Sequence, residues 1–265
     1  MQLNTLTVLL RDGLANRMRV MASIAHFVKS GININILWLK NDALNCDFEH
    51  IFKPIRGFNI TNIIHEPQMI HSMQQNPIKR LIAKIHNKAK GYDYVFTKGK
   101  TNIPKQLKPI FEKYQKVYVA MCFCLTEQED YTIFAPSDNI VEIINKINYQ
   151  NYIGIHIRRG DHIGATKKSP IKLFTEYIEQ HIDKTKFYIA TDSQDIKYLL
   201  TLHYGNNKIL TNSFSLERNS PQGIVDAYAE MLILSKADLI IGSQFSSFDE
   251  VAAKIGNIQL IKLSE

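Results

Sequence analysis

The stretch at residues 152–161, with the sequence YIGIHIRRGD, constrains the fold more than any other part of the chain. Its isoleucines recur at every second position, and this spacing of β-branched side chains predicts a buried strand. Gly160 and Asp161 are turn residues that end the strand, so Arg158 and Arg159 stand at its carboxyl end. Open α/β sheets bind ligands at the carboxyl ends of their strands, and adjacent guanidinium groups there match a pyrophosphate.

The same residues also have a simpler interpretation, because short motifs match by chance. In this alternative, Arg158 and Arg159 are surface charges, Asp161 caps a helix, and His156 is a half-buried imidazole with its hydrogen bonds satisfied. Polar residues elsewhere in the chain help to decide between a phosphate site and surface charges.

Strand and helix patterns alternate along both halves of the chain. In the first half, strands are predicted at 5–10 and 32–38, and they flank a helix at 18–30 that Gly31 ends. In the second half, the pattern predicts helices at 171–181, 195–204 and 224–235 and strands at 186–190, 208–211 and 237–242. Alternation of this kind predicts an α/β fold with mainly parallel sheets.

The middle of the chain has weaker patterns. Residues 41–76 predict loops and short strands, whereas residues 77–89 predict a basic amphipathic helix. Two further strands are predicted at 92–96 and 116–123. The polar segment at 127–138 is expected to cross between two domains, an N-terminal one at 1–135 and a C-terminal one at 136–265.

Polar residues follow three of the predicted strands in the second half. They are Arg158 and Arg159 after the first, Thr191, Asp192 and Ser193 after the second, and Ser246 and Ser247 after the third. Since the carboxyl ends of parallel strands share one edge, the three clusters are expected to converge on a phosphate site. In the alternative interpretation, the serines are plain helix caps and Asp238 is a turn residue where its strand begins.

The turn after the first predicted strand, RDGLANR at 11–17, contains a single glycine, so it is not a G-x-G-x-x-G dinucleotide motif. Asn16 and Arg17 instead open a helix whose free N–H groups offer an edge for an anion or a hydroxyl. In the alternative, Asn16 caps the helix and Arg17 faces solvent.

The formal charge of +7 suggests an anionic partner, and lysines concentrate between residues 79 and 108. This basic region could bind nucleic acid, an anionic lipid surface or an acidic glycan, although a solvated lysine face is the commoner cause of such a cluster. Its lysines are not interleaved with aromatic residues as a stacking platform requires, so no nucleic-acid partner is expected. Peripheral membrane contact through the region remains an open expectation.

Three cysteines, Cys46, Cys122 and Cys124, cannot form an even disulfide framework and are expected to be free and reduced. The amino terminus lacks the basic and apolar pattern of a signal peptide, and no stretch approaches transmembrane length. These features predict a cytoplasmic protein without a transmembrane segment.

The motifs together resemble those of the α1,2-, α1,6- and protein O-fucosyltransferase superfamily. The resemblance is carried by H-x-R-R-x-D at 156–161, ATDS at 190–193, LSKADLIIGS at 234–243 and SSF at 246–248. The turn GLANR at 13–17 is similar to the superfamily's Gly-x-Gly-Asn-[Arg/Gln] turn, with Ala15 in place of the second glycine. Residues 40–135 carry no recognisable signature.

The resemblance implies a GT-B fold of two facing Rossmann-like domains, a GDP-fucose donor, inversion at the sugar carbon and no metal cofactor. It implies that Arg158 or Arg159 binds the β-phosphate and that Asp238 helps to bind guanine. The serine-rich turn that binds phosphate corresponds to Ser246, Ser247 and Phe248. Asn16 and Arg17 are expected to border the cleft from the opposite domain. The other expected donor-binding residues are His156, Asp161, Thr191, Asp192 and Ser193.

Physical chemistry agrees with these roles. Breaking a glycosyl phosphate bond develops charge on the leaving diphosphate, so fixed guanidinium and N–H donors stabilise the transition state and replace a metal. No D-x-D pair, the metal holder of the other large glycosyltransferase fold, occurs in the sequence. Asp12 is the candidate general base for the acceptor hydroxyl, whereas Asp161 is expected to orient the arginines.

The sequence therefore predicts an inverting, metal-independent fucosyltransferase that transfers fucose from GDP-fucose to a glycan acceptor in surface polysaccharide or oligosaccharide synthesis. One alternative keeps the fold and mechanism with a different GDP-sugar. The others are a non-catalytic glycan-binding protein and a nucleic-acid-binding protein.

Overall fold

The computed structural model describes residues 2–99, 101–160 and 163–265. The chain divides into two compact units, Met1–Ser137 and Asp138–Glu265. Each unit is built on a five-stranded sheet, and the paired strands of both sheets are parallel. The predicted α/β class with mainly parallel sheets is confirmed.

The first unit contains strands β1 (Thr5–Leu10), β2 (Asn33–Leu39), β3 (Phe58–Ile63), β4 (Tyr94–Phe96) and β5 (Lys116–Met121). They lie in the order β3-β2-β1-β5-β4. The central strand β1 is almost wholly buried because it is covered on both faces, which accounts for its continuous apolar run rather than an alternating one.

The described helices of this unit are α1 (Leu14–Ile24), α2 (Pro77–Ala89) and α3 (Ile103–Lys113). Helix α1 begins directly after Gly13, and a 3₁₀ segment, Ala25–Ser30, continues it. Gly31 ends that segment in the left-handed conformation, with φ of 72°. The helix predicted at 18–30 therefore starts at Leu14 and changes type within its length.

The second unit contains strands β6 (Tyr152–Ile157), β7 (Lys186–Thr191), β8 (Ile209–Leu210), β9 (Leu239–Ser243) and β10 (Leu260–Leu263). They lie in the order β10-β9-β6-β7-β8. Its described helices are α4 (Asp138–Asn145), α5 (Ile163–Lys168), α6 (Ile171–His181), α7 (Gln194–Tyr204), α8 (Pro221–Leu234) and α9 (Ser247–Gly256). The predicted helix at 171–181 coincides with α6.

The alternation of side chains along β6 places its two faces in different environments. Ile155 and Ile157 join a fully buried cluster with Phe174 and Ile178 of α6. Because successive strand residues point to opposite faces, His156 lies on the other side of the sheet. Arg158 follows directly, at the carboxyl end of the strand.

Each sheet has a topological switch point beside its first strand. In the first unit, β1 has β2 on one side and β5 on the other; in the second, β6 has β7 on one side and β9 on the other. Successive strands in each unit are added first to one side and then to the other, which leaves a crevice at the carboxyl ends where open α/β sheets bind ligands. Across the described residues, none of the helices combines the length and apolarity needed to span a bilayer.

Candidate active site

Asp192 joins the arginines that follow β6. Its Oδ2 accepts a hydrogen bond from Arg158 Nη1, and its Oδ1 accepts one from the backbone N–H of Arg159 at 2.7 Å. Arg218 Nη2 also approaches Oδ2, at 3.4 Å. Gly160 permits this packing, because a Cβ there would lie 2.6 Å from Asp192 Oδ2. The carboxylate thus gathers three arginines at the carboxyl edge of the second sheet.

The guanidinium of Arg159 is partly withdrawn from solvent. Its Nη1 donates to Arg158 O at 2.7 Å, and its central carbon lies 5.8 Å from the centre of the Phe174 ring. Its Nη2 is buried and has no hydrogen-bond partner within the described residues. Burial lowers the pKa of Arg159, and the charge of Asp192 opposes that shift. Since an unpaired buried donor is costly, Nη2 is suited to receive an anionic oxygen.

Ser243, the last residue of β9, fixes the backbone across the switch point. Its Oγ accepts from the Arg158 N–H at 2.9 Å and donates to His156 O at 3.2 Å. The arginine turn is therefore held by a hydroxyl on one side and by Asp192 on the other. This arrangement limits the movement of Arg158 before any ligand arrives.

His156 lies in a buried polar cluster that ties β6 to α9. Its Nδ1 is 3.3 Å from Asp249 Oδ2 and 3.4 Å from Ser246 Oγ, and its ring stacks on Phe248 with centroids 4.9 Å apart. Asp249 has no exposed surface and also accepts from the Ser243 N–H at 3.1 Å. The imidazole is buried rather than half-buried, with both hydrogen-bond partners inside the unit.

The N-terminus of α9 follows β9 at the same edge of the sheet. Ser246 caps this helix, its Oγ accepting from the Phe248 N–H at 3.3 Å, and Ser247 is the first helical residue. Phe245, just before the cap, has a left-handed backbone with φ of 57° and leaves 61% of its surface exposed. Such a conformation is strained for an aromatic residue, and strain of this kind clusters at functional loops.

The turn after β7 uses its hydroxyls within the unit. Thr191 Oγ1 donates to Ile157 O at 2.6 Å, and Ser193 Oγ caps α7 by accepting from the Ile196 N–H at 3.4 Å. Asp192 is the residue of this turn whose side chain reaches the arginines. Thr191 and Ser193 therefore position Asp192 by fixing the backbone on either side of it.

Asp238, the residue predicted to help bind guanine, lies at the amino end of its strand. Asp238 precedes Leu239, the first residue of β9, and its N–H donates to Tyr152 O at the beginning of β6 at 3.0 Å. The arginines follow the opposite ends of these parallel strands. Asp238 is exposed, which fits the alternative of a turn residue at the start of its strand.

Asp12 stands at the switch point of the first unit, directly after β1. Its backbone is left-handed, with φ of 64°, and its side chain is exposed. Cys122 follows β5 on the other side of the switch point. Burial raises the pKa of the Cys122 thiol to about 12, and the hydrogen bond and charge of Asp12 add to the rise. A carboxylate and a neutral thiol thus occupy this edge.

Arg17, predicted to border the cleft, is turned into the interior of the first unit. Its side chain has no exposed surface, its guanidinium lies 4.8 Å from the centre of the Trp38 ring, and its Nε donates to Asp12 O at 2.8 Å. Burial lowers its pKa to about 10. Because the helix starts at Leu14, Arg17 falls on the face of α1 that packs against the interior of the unit.

Asn16 remains at the edge of the first unit, half-buried. Its Oδ1 accepts from Arg19 Nη2 at 2.8 Å, and the same nitrogen donates to Cys122 O at 3.3 Å. The alternative of Asn16 as a helix cap is excluded, because Gly13 holds the N-cap position of α1. Asn16 instead connects the turn after β1 to the turn after β5.

Asp161, the residue expected to orient the arginines, lies outside the described residues. Within them, no group of three or more His, Cys, Asp or Glu side chains is placed to hold a metal ion. The three cysteines are free thiols.

Several residues of the site escaped the sequence analysis. Arg218 lies in a segment without a periodic pattern, so nothing in its neighbours marks it. Lys262 of β10 donates to Ser246 O at 2.7 Å and lies 3.6 Å from Asp249 Oδ1, which ties the strand after α9 to the cap of that helix. Ser243 had a signal, since it ends the strand that precedes the serine-rich turn.

Comparison with known proteins at the level of sequence finds no matching family model and no matching curated protein. Solved structures match at the level of fold. NodZ α1,6-fucosyltransferase from Bradyrhizobium, co-crystallised with GDP, aligns over 95% of this chain and 92% of its own, with a TM-score of 0.60 and 14% identity.

Two further fucosyltransferases match in the same way. Arabidopsis thaliana FUT1 in complex with GDP aligns over 98% of this chain and 70% of its own, with a TM-score of 0.59 and 11% identity. POFUT1 in complex with GDP aligns over 98% of both chains, with a TM-score of 0.52 and 12% identity. The chain has the GT-B fold of these fucosyltransferases, as the sequence predicts.

Proposed function

We propose that the protein is an inverting, metal-independent fucosyltransferase that uses GDP-fucose as donor. The observation that carries the proposal is the arginine cluster of Arg158, Arg159 and Arg218, assembled on one carboxylate at the switch point of the second unit. The guanidinium groups of Arg158 and Arg218 contact Asp192, and Arg159 adds a third beside them, its Nη1 bonded to Arg158 O. A cluster of this charge favours a ligand with more than one negative charge. A nucleoside diphosphate has that charge.

The donor contacts follow from the hydrogen-bonding capacity of the cluster. Arg159 Nη2 offers a buried donor, and the Arg158 side chain is held at the edge by Asp192. We assign both arginines to the diphosphate, with Ser246 and Ser247 at the N-terminus of α9 as further phosphate contacts. His156, Phe248, Thr191 and Ser193 act by positioning these groups.

The cluster also provides the means of catalysis. When the bond between the sugar carbon and the diphosphate oxygen breaks, negative charge grows on that oxygen, and the arginines stabilise it more strongly than in the ground state. Asp192 and Ser243 fix the donors in advance, so little reorganisation is needed at the moment of transfer. This role is the one that a divalent cation has in other glycosyltransferases.

Asp12 is assigned as the general base. In a single displacement, the acceptor hydroxyl oxygen attacks the sugar carbon, its proton passes to a base, and the diphosphate leaves from the opposite face. The exposed carboxylate of Asp12 at the switch point of the first unit suits this task, and the Arg17 bond to its carbonyl holds the turn. Asn16 supports the same turn through Arg19.

The structural neighbours support the donor assignment. The GDP complexes of NodZ, FUT1 and POFUT1 and the NodZ structure soaked with GDP-fucose all share the fold of this chain. With these proteins as guides, the first unit is proposed to bind the acceptor and the second the GDP-sugar. A glycan acceptor and action in the cytoplasm, in the synthesis of a surface polysaccharide or oligosaccharide, complete the proposal.

The test is incubation with labelled GDP-fucose and a panel of galactosides, N-acetylglucosamine-terminated glycans and peptides. Transfer to one acceptor class, absent in Arg159→Ala, is expected. GDP-mannose in parallel separates fucose transfer from use of another GDP-sugar. Binding of GDP without transfer to any acceptor would support the non-catalytic alternative instead.

A further inference from the structure

Helix α2 is attached to the first unit by a narrow face. Ala83 and Asn87 are buried, and residues four positions apart lie on the same side of a helix. The Asn87 side chain donates to Ile70 O at 2.7 Å and accepts from the Ile70 N–H at 3.2 Å. His86 Nε2 lies 3.1 Å from Gln68 O, and the exposed Lys88 pairs with Asp93 Oδ1 at 2.8 Å. The attachment is therefore made by a methyl group and polar contacts rather than by large apolar side chains.

The large apolar residues of α2 point the other way. They stand at i, i+3, i+4 and i+7 and are exposed to 70% (Ile78), 57% (Leu81), 53% (Ile82) and 62% (Ile85). At about 100° per residue, this stripe is centred roughly half a turn from Ala83 and Asn87. Monomeric soluble proteins rarely leave four adjoining aliphatic side chains uncovered.

Basic residues flank this stripe on both sides. Lys79 lies on one flank and Lys84 and Lys88 lie on the other, with Arg80 nearer the attached face. The helix has no acidic residue in its 13 positions. An apolar stripe flanked by basic residues is the pattern of a helix that lies in the headgroup region of a membrane.

We propose that the exposed face of α2 is a peripheral docking surface for an anionic lipid bilayer. The four aliphatic side chains enter the boundary between headgroups and acyl chains, and the lysine stems extend beside them to place their ammonium groups among anionic headgroups. A helix of 13 residues is too short to span the bilayer, so it lies parallel to the surface.

The next helix along the chain, α3, shows that a basic amphipathic helix of this unit can bury its apolar face. It is also amphipathic and basic, with Lys105, Lys108 and Lys113, but it buries Ile103, Leu107, Ile110 and Phe111 against its unit. A second copy of the chain is a poor occupant of the α2 face, because paired faces would bring their basic residues together.

Sedimentation of the full-length protein with vesicles tests the proposal. One set contains phosphatidylcholine alone, and the other contains phosphatidylcholine mixed with phosphatidylglycerol. We expect binding to the mixed vesicles at least about tenfold above binding to the neutral ones, weakening as salt is added. Equal binding to both sets, or no binding to either, would overturn the proposal.

Variants on the helix identify the surface. Leu81→Gln/Ile85→Gln should lower partitioning into mixed vesicles at least about tenfold, because two inserted side chains are lost. Lys79→Glu/Lys84→Glu should lower it by a similar factor through charge alone. The matched control is Leu199→Gln/Leu202→Gln on α7, whose side chains are comparably exposed at 55% and 68%.

The control variant should bind as the parent protein does, and circular dichroism and GDP binding should be unchanged in all three. Loss of binding in the control, or retention of binding in both α2 variants, would show that another surface meets the lipid. A dimer in size-exclusion chromatography with light scattering that Leu81→Gln/Ile85→Gln dissociates would assign the face to a second copy and overturn the proposal.

Discussion

The switch points of the two units present opposite charges, because arginine is exposed and aspartate supports it in one, whereas aspartate is exposed and arginine supports it in the other. After β6, Asp192 supports Arg158, and the guanidinium is presented at the edge. After β1, Arg17 is buried and supports Asp12 through its carbonyl, and the carboxylate is exposed. Sheets of related topology can therefore be given different chemistry by which member of a charged pair is placed inside.

The largest effect on turnover should come from removing the guanidinium groups after β6. Arg158→Ala and Arg159→Ala should each lower kcat/KM for GDP-fucose by about 10²-fold or more, because each removes a donor to the developing charge on the diphosphate. Lysine at either position should not restore the rate, since it lacks the planar fork. Initial rates with labelled donor measure both changes.

Arg56→Ala is the matched control for these variants, because Arg56 is an exposed arginine of the first unit. Its rate should equal that of the parent protein. Full activity in both Arg158→Ala and Arg159→Ala would show that the arginines are surface charges.

At the other switch point, removing the presented carboxylate should affect a different kinetic constant. Asp12→Asn should lower kcat by roughly 10²-fold, as expected for loss of a general base, with little change in GDP affinity. Asp161→Asn is expected to weaken both. Turnover assays and calorimetric GDP titration separate the two, and an unchanged kcat in Asp12→Asn would remove Asp12 from the base role.

The supporting carboxylate should matter less than the arginines that it holds. Asp192→Asn keeps one carbonyl acceptor but loses the charge that gathers Arg158 and Arg218, so GDP affinity should fall by about tenfold. Asp195→Asn, an exposed carboxylate in the next helix, is the control and should bind GDP normally. A change in affinity that is equal in the two variants would argue against this role for Asp192.

A smaller effect is expected at Cys122. With its pKa raised to about 12 by burial and by Asp12, the thiol should react slowly with iodoacetamide at pH 8, where thiolate is scarce, and faster as the pH rises. Asp12→Asn should lower this pKa and speed alkylation several-fold. Mass spectrometry of the peptide distinguishes Cys122 from Cys124. An unchanged rate would show that Asp12 and Cys122 do not interact.

The smallest effect is expected from metal removal. GDP affinity and transfer should be the same with and without EDTA, because guanidinium groups supply the positive charge that stabilises the diphosphate. A strict requirement for Mg²⁺ or Mn²⁺ in donor binding and turnover would contradict the metal-free mechanism.

Much of the fold could be predicted from local patterns, because strands of period two and helices of period 3.6 leave direct marks in the sequence. The helix α6 was predicted to the residue, and α2 likewise. Helix α3 was missed because Pro104 and Pro109 are typical helix breakers, although Pro104 stands in the first turn, where proline is tolerated. The short strand β10 was not predicted, although the turn residues Gly256 and Asn257 precede it.

The candidate site was harder to predict from the sequence, because it depends on which face of a helix a residue occupies and on which end of a strand it adjoins. Helix α1 starts at Leu14, four positions before the predicted start at residue 18. Arg17 therefore lies within the helix, on its buried face. Asp238 directly precedes β9 and so lies at the amino end of that strand, whereas the arginines follow the carboxyl end of β6. The cluster of Asp192 with Arg158 and Arg218 joins residues far apart in the chain, a proximity that no local pattern contains.

The left-handed backbone of Asp12 makes its position a compromise between folding and turnover. A side chain with a Cβ in this conformation costs about 1 kcal/mol relative to glycine, although aspartate tolerates it better than most residues. Selection for stability alone would therefore favour glycine at residue 12. The chain has a carboxylate where the backbone disfavours one. With Asp12 as the proposed general base, the residue that is best for the fold and the residue that is best for the reaction differ at this turn.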